Sequence, residues 1–245
     1  MDSGYYAAFT GLMARSQAMD AAAANLANAQ TPGYRAEREY FRSALLGPDV
    51  SDSQIGQVVN DYGLLGGDRL SMSQGALQKT GNSLDLAIEG EGFFQIQTAD
   101  GPRFTRDGSF HRSQSGILVT KSGDAVLSTS GKPVPVPPGE ISVGADGVLS
   151  ALGGVVAAVG VFSFPAGTQL SAEGANRYVA PIGTTTVLSK NAVIHQGEIE
   201  AANQDAVQGT LDLIMMQRQA EMLQKALTVF HTNLNKIATE DIPRV

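Results

Sequence analysis

The sequence predicts an α+β chain: long N- and C-terminal helices pairing as a coiled coil, with an all-β central domain inserted between them. Three observations predict it. All but five of the 28 glycines fall between residues 46 and 196, so both ends of the 245-residue chain are nearly free of them. At each end, apolar residues recur in alternating steps of three and four, the spacing of a helical seam. The middle alternates apolar with polar residues and is punctuated by Asp-Gly and Ser-Gly pairs, the marks of short strands and tight turns. The expected division is a terminal helical domain made of 1–42 with 200–245, an extended linker over 43–75, and a β-rich central domain over 76–199.

Residues 3–28 read as the first helix, with Ser3 placed to cap it. Tyr5, Phe9, Leu12, Ser16, Met19, Ala23 and Leu26 form its seam. The other positions are crowded with alanine, and small side chains let neighbouring helices approach closely. Thr31-Pro32-Gly33-Tyr34 ends the helix, because proline blocks its continuation and glycine accepts positive φ.

In the middle, Ser83 to Ile88 alternates strictly and puts Leu84, Leu86 and Ile88 on one face. Turns are expected at Asp100-Gly101, Asp107-Gly108, Ser115-Gly116, Ser122-Gly123, Ser130-Gly131 and Asp146-Gly147. Pro133, Pro135, Pro137 and Pro138 make a rigid extended segment that cannot sit in a central strand. The apolar run Val155–Phe162 reads as one buried strand.

Residues 203–240 read as the second helix, capped by Asn203. Its seam is Ala206, Gly209, Leu213, Met216, Ala220, Leu223, Leu227, Phe230, Leu234 and Ile237. A second apolar row runs alongside: Val207, Leu211, Ile214, Met215, Met222, Ala226 and Val229. Pairing the two terminal seams leaves that row over. Large side chains gain about 1.5–3 kcal/mol each on burial, so the row represents on the order of 10 kcal/mol. A helix apolar on two faces is packed on two sides, and the expected second partner is another subunit, with the chain's own β domain as the alternative.

Composition narrows the function classes. Charged residues are only 17%, against about 25% in ordinary domains, which suits a protein covered by partners. The net charge of −7 comes with no Lys/Arg cluster, so nucleic acid is not an expected partner. No apolar run approaches the roughly 20 residues of a membrane span. Met1-Asp2-Ser3-Gly4 lacks a basic n-region and Arg15 interrupts any apolar one, so a cleavable signal is not expected. Without cysteine, disulfides and thiolate metal sites are ruled out. His111, His195 and His231 are scattered, and Glu89 and Glu91 sit among glycines in a stretch better read as structural. No catalytic residue, metal or cofactor is expected.

Residues 24–35, Ala-Asn-Leu-Ala-Asn-Ala-Gln-Thr-Pro-Gly-Tyr-Arg, resemble the N-terminal signature of the bacterial flagellar rod and hook family. Asn25, Leu26, Ala27, Asn28, Thr31, Pro32, Gly33 and Tyr34 carry the likeness. Where the family often has paired Asn, this chain has Ala24-Asn25. Ile88-Glu89-Gly90-Glu91-Gly92-Phe93-Phe94 is similar to the family's strand ahead of its β domain, and Phe104 to Phe110 to its hairpin. The stretch from Gln196-Gly197 through Gln217-Arg218 to Leu223-Gln224-Lys225 follows in family order.

The resemblance implies a structural subunit of the basal-body rod, the shaft that carries torque across the periplasm. It implies export through the flagellar type III apparatus without a cleaved signal. Implied partners are further copies, other rod subunits, the export apparatus and the surrounding rings. The short stretch from Ala44 to Asp68 favours a proximal rod protein, while Phe93-Phe94 and Asp107 to Phe110 look as much like distal rod, and a distal rod or hook-type axial subunit is the alternative. A ligand-binding or adhesin module with helical anchors is the reading from another class.

Overall fold

The computed structural model describes residues 2–42 and 64–240, with side chains placed over 11–38 and 69–229 and at Phe9 and Thr232. The chain is α+β, with one helix near each end and β structure between them. It divides into two compact units. One comprises residues 1–27, 37–68 and 206–245, and the other 28–36 and 69–205.

In the first unit, helix α1 (Asp2–Ala27) packs against helix α2 (Ala206–Glu240). At about 1.5 Å per residue, α2 is over 50 Å long. Ser3 lies inside α1 and does not cap it, because the helix already begins at Asp2. Asn203 lies three residues before α2 and is drawn into other bonds, so it is not the cap either. The buried stripe of α1 consists of Gly11, Ala14, Ala18, Ala22 and Asn25. The small side chains themselves face inward, and Leu12, Met19 and Leu26 flank them half-buried. Strands β1 (Glu37–Arg42) and β2 (Leu64–Leu70) pair with each other. Most of the expected linker, 43–63, lies outside the described residues.

The second unit carries β3 (Leu77–Lys79), β4 (Leu86–Glu89), β5 (Phe93–Thr98), β6 (Gly101–Thr105), β7 (His111–Arg112), β8 (Leu118–Val119) and β9 (Ala125–Val126). It continues through β10 (Ile141–Val143), β11 (Val148–Ala151), β12 (Gly154–Ala158), β13 (Val161–Ser163), β14 (Ser171–Gly174) and β15 (Arg177–Val179). The last three are β16 (Val187–Leu188), β17 (Val193–Gln196) and β18 (Glu198–Glu200). The main sheet runs β14-β15-β6-β5-β9-β8-β7, with β13 joining β5 to β16. β10, β11 and β12 form an antiparallel meander. The end of the chain's β run returns to its beginning: β17 pairs with β4, and β18 with β3.

Two cores result. The larger gathers Leu86, Ile88, Phe94, Phe110, Leu118, Val126, Leu149 and Val159, with Phe94 and Phe110 edge to face at 5.1 Å. Leu84, Leu86 and Ile88 all pack there, as their alternation predicts. The smaller gathers Phe93, Phe104, Phe162, Leu170 and Tyr178, with Phe164 packed against it. The proline segment does run between two strands, against expectation: Pro133 bridges Leu127 and Pro135 bridges Ile117, and only the intervening Val134 uses its N–H, donating to Val126 O at 2.9 Å while its carbonyl accepts from Leu118 N at 2.9 Å. Val134 and Val136 are buried, and Pro133 and Pro135, which alternate with them, are exposed.

Two other local expectations need correction. The run Val155–Phe162 is not one strand. It breaks into β12 and β13 of different sheets, and Val155 is exposed. A Cβ on Gly160 would sit 2.4 Å from the Phe162 ring, which marks how tightly the chain bends there. Asp107-Gly108 is not a hairpin turn either. Gly108 lies against the backbone of Leu86, whose N–H donates to its carbonyl at 3.0 Å, and a Cβ would fall 1.6 Å from Leu86 O.

Candidate assembly surface

Helix α2 presents two faces. Gly209 and Ala220 are buried, and Leu213, Met216, Leu223 and Leu227 are half-buried beside them. The side chains of Phe230, Leu234 and Ile237 lie outside the described residues. In the second row, Val207, Leu211, Ile214, Met215, Met222 and Val229 are all exposed, Val207 at 71% and Met222 at 62%. Phe9 on α1 is exposed as well. The folded chain therefore leaves a row of large apolar side chains along much of a helix facing solvent, beyond what isolated surface residues require.

The motif residues divide their work. Asn25 acts as a substitute strand residue. Its Nδ2 donates to Glu37 O at 2.7 Å and its Oδ1 accepts from Glu37 N at 2.9 Å, so one side chain pairs both main-chain groups of the residue that opens β1. Asn28 O accepts from Thr31 N at 2.9 Å and Thr31 O from Tyr34 N at 3.2 Å, which sets the turn after α1. Pro32 O accepts from Asn176 Nδ2 at 2.7 Å. Gly33 has φ +70, and a Cβ there would lie 2.2 Å from Asp107 N. Glycine is required at that position for its backbone conformation and for the close approach alike. Of the remaining motif residues, Leu26 and Tyr34 are half-buried and Ala27 is exposed.

Arg35, directly after the motif, enters an ion cluster that sequence reasoning missed. Its Nη2 lies 3.0 Å from Glu200 Oε1, and Arg106 Nη1 lies 3.0 Å from Glu200 Oε2. All three side chains are almost wholly buried. Gly75 N donates to Glu200 Oε1 at 2.8 Å. Arg106 donates to Ile88 O at 3.1 Å and to Gly90 O at 2.5 Å, and its guanidinium sits 5.3 Å from the Phe93 ring centroid. Arg35 Nη1 donates to Ser73 O, and its backbone N–H donates to Tyr178 Oη at 3.0 Å.

Burial pulls both guanidiniums below the ordinary arginine range, Arg106 to about 10, with Glu200 acting in the opposite sense. Burial likewise pushes the Tyr178 phenol up to about 12. Asn203 closes the arrangement. Its Oδ1 accepts from Ala36 N at 2.7 Å while its Nδ2 donates to Ser71 O at 2.8 Å and Ser73 O at 2.9 Å. Gly33 N donates to Glu200 O at 2.7 Å. The strand end 200–203 thus clasps 33–36 and 71–75 in one knot, with two positive charges on one negative.

The residues weighed for catalysis sit elsewhere. Glu89 pairs with His195 at 2.7 Å on the surface of the β4–β17 ladder, and Glu91 is exposed. Among the described residues, no group of three or more His, Asp or Glu is placed to hold a metal ion. Nor is any helix long and apolar enough to cross a membrane.

Comparison with known proteins agrees with this arrangement of motif, β unit and helices. Residues 6–35 match the family described as flagella basal body rod protein, and residues 87–151 match the flagellar hook protein FlgE/F/G D1 domain. The chain is 33% identical over 231 residues to flagellar basal-body rod protein FlgF of Caulobacter vibrioides, covering 93% of each. It is 33% identical over 221 residues to FlgF of Rhizobium meliloti, 89% of each. Flagellar basal-body rod protein FlgG of Buchnera aphidicola is 30% identical over 253 residues, covering 94% of this chain and 96% of its own. The chain belongs to the flagellar basal-body rod protein family.

Proposed function

We propose that the chain is a structural subunit of the basal-body rod, in its proximal segment, which polymerises through its terminal helices into a torque-bearing shaft. The observation that carries this reading is the exposed row from Val207 to Val229 on α2. A stable monomer would gain nothing by showing six large apolar side chains on a helix already packed on its other face. In a rod they become the contact between copies. On this reading Phe9, Leu12, Met19 and Leu26 extend a coiled-coil seam with Leu213, Met216, Leu223, Leu227, Phe230, Leu234 and Ile237. The helical domain is the polymerisation domain, and the 76–199 region is the β-rich central domain. The short stretch between Ala44 and Asp68 supports proximal over distal rod, and so does the identity of 33% to FlgF against 30% to FlgG. Partners are other copies and neighbouring rod subunits, with export by the flagellar type III apparatus, passage through the surrounding rings, and residence across the periplasm.

The test is electron microscopy of basal bodies from cells lacking this chain. A rod missing or cut short near its base is the expected result. A rod cut short near its outer end would move the subunit to the distal segment. Intact basal bodies would refute the reading.

A further inference from the structure

We infer that the β unit of one copy docks head to tail on the β unit of the next, with Leu152 of one seated in a hollow beside Phe93 and Phe164 of the other. The inference rests on the reading above as an assembling subunit and adds a contact outside the helices.

The knob is unusual in two ways. Leu152 opens the two-residue turn between β11 and β12 at φ 52, followed by Gly153 at φ 80. Turns of this kind take Asn, Asp or Gly there, because at positive φ a larger side chain's Cβ crowds the following carbonyl. Leucine also gains nothing by burial in the free chain, since it is 86% exposed and Val155, just beyond, is 75% exposed. Its Cδ2 lies 3.9 Å from where a Cβ on Gly139 would be. A strained, solvent-facing leucine at a hairpin tip is accounted for if another surface covers it.

The hole lies on the same unit. A hollow of about 460 Å³ is walled by Met72, Phe93, Phe164 and Pro165, with Arg35 and Arg106 among its lining. Its apolar walls suit an aliphatic tip. Its arginines carry two charges against the single carboxylate of Glu200, and the Nε atoms of both have no hydrogen-bond partner among the described residues. The incoming hairpin must therefore bring no cation. From 141 to 158 the meander carries only one charged residue, Asp146, and the tip brings carbonyl oxygens and no positive charge.

Knob and hole also rest on different cores. Ala151 belongs to the larger core, whereas Phe93 and Phe164 belong to the smaller. Each copy thus offers both halves of one contact at separate places. Such a contact is heterologous, and it propagates as a ring or a helical filament.

The absence of native cysteine makes the test clean. Cells whose only copy of this chain is L152C/A166C are grown, and their basal bodies are isolated and mildly oxidised. Ala166 is an exposed residue of the hollow's lining. The expected result is a ladder of disulfide-linked dimers and higher oligomers, absent from L152C alone, A166C alone and L152C/Q114C. The chain present in basal bodies but running as a monomer after oxidation would overturn the inference and leave the rod reading standing. Absence of the wild-type chain from basal bodies would sink the rod reading instead. Cross-linking of the thiol introduced by L152C to a different flagellar subunit would overturn self-docking. If the double variant is not incorporated, purified L152C and A166C chains are mixed at high concentration. A mixed disulfide dimer then supports the docking, and its loss to the level of L152C with Q114C overturns it.

Discussion

Replacing Glu200 by Gln tests whether the buried ion cluster holds the β unit together. The carboxylate accepts from Arg35, Arg106 and Gly75 N while only 1% exposed. Glutamine keeps the shape but removes the negative charge and offers one acceptor oxygen instead of two. Two guanidiniums then lie buried with no counter-charge. Burial already holds Arg106 at about 10, and losing Glu200 removes the largest influence that raises it. Breaking a buried pair by removing one partner costs about 3–5 kcal/mol. For a domain of roughly 150 residues each kcal/mol lowers Tm by about 2–4 °C, so E200Q is expected to lower the Tm of the β unit by about 6–20 °C. Thermal unfolding followed by circular dichroism on the full chain reads this out. E173Q, which breaks the exposed Arg103–Glu173 pair, serves as the control and should leave Tm unchanged. An E200Q variant melting within about 2 °C of wild type would refute the argument that the cluster is structural.

Three further outcomes are expected. G108A, whose Cβ would fall 1.6 Å from Leu86 O, should lower Tm far more than G131A, which has φ +74 but open space around it and should cost about 1 kcal/mol; equal Tm losses would contradict the close approach. Tyr178 keeps its proton to about pH 12 when folded but loses it near 10 when unfolded, so the unfolded chain gains stability as pH rises from 10 to 12, up to about 2–3 kcal/mol. Arg106 acts in the opposite sense above pH 10, so denaturant titrations of Y178F should show a stability that falls less steeply over that range than wild type, and identical slopes would remove Tyr178 from the account. Finally, L227D should abolish incorporation into the rod and motility on soft agar while β-unit melting stays within about 2 °C of wild type; a swarming mutant would discard the helical seam.

The architecture was legible because its signals are local. Seam spacing revealed both helices, and turn glycines marked Asp100-Gly101, Ser115-Gly116, Ser122-Gly123, Ser130-Gly131 and Asp146-Gly147, where all five glycines take positive φ. Residues Asn25 to Tyr34 stood out as a unit, yet their tasks did not. Nothing in the string says that Asn25 pairs with a main chain twelve residues on. The face of α1 was harder to read, because hydrophobicity selects Phe9 while close packing selects Gly11, Ala14 and Ala18. The ion cluster was illegible because Arg35, Arg106 and Glu200 are far apart in sequence, and an isolated charge in a sequence reads as solvated. One weak signal existed. In Glu198-Ile199-Glu200, strand parity puts both carboxylates on one face, and only their unequal burial distinguishes them. Asn203 reads as a cap for the same reason, since its partners, Ala36, Ser71 and Ser73, are more than a hundred residues away.

The knot formed by residues 33–36, 71–75 and 200–203 also has a consequence in time. The bonds that 200–203 make within it, like the β3–β18 and β4–β17 ladders, join stretches separated by more than a hundred residues. Contacts that distant in sequence form late and slowly. A chain passed through a narrow conduit from either end cannot tie this knot while residues 33–36 or 200–203 are still inside. The first part to emerge therefore stays open and threadable until nearly all of the β unit is out. On the export route proposed above, a chain that travels unfolded and becomes rigid at its destination gains from placing its lock at the two ends of its β unit.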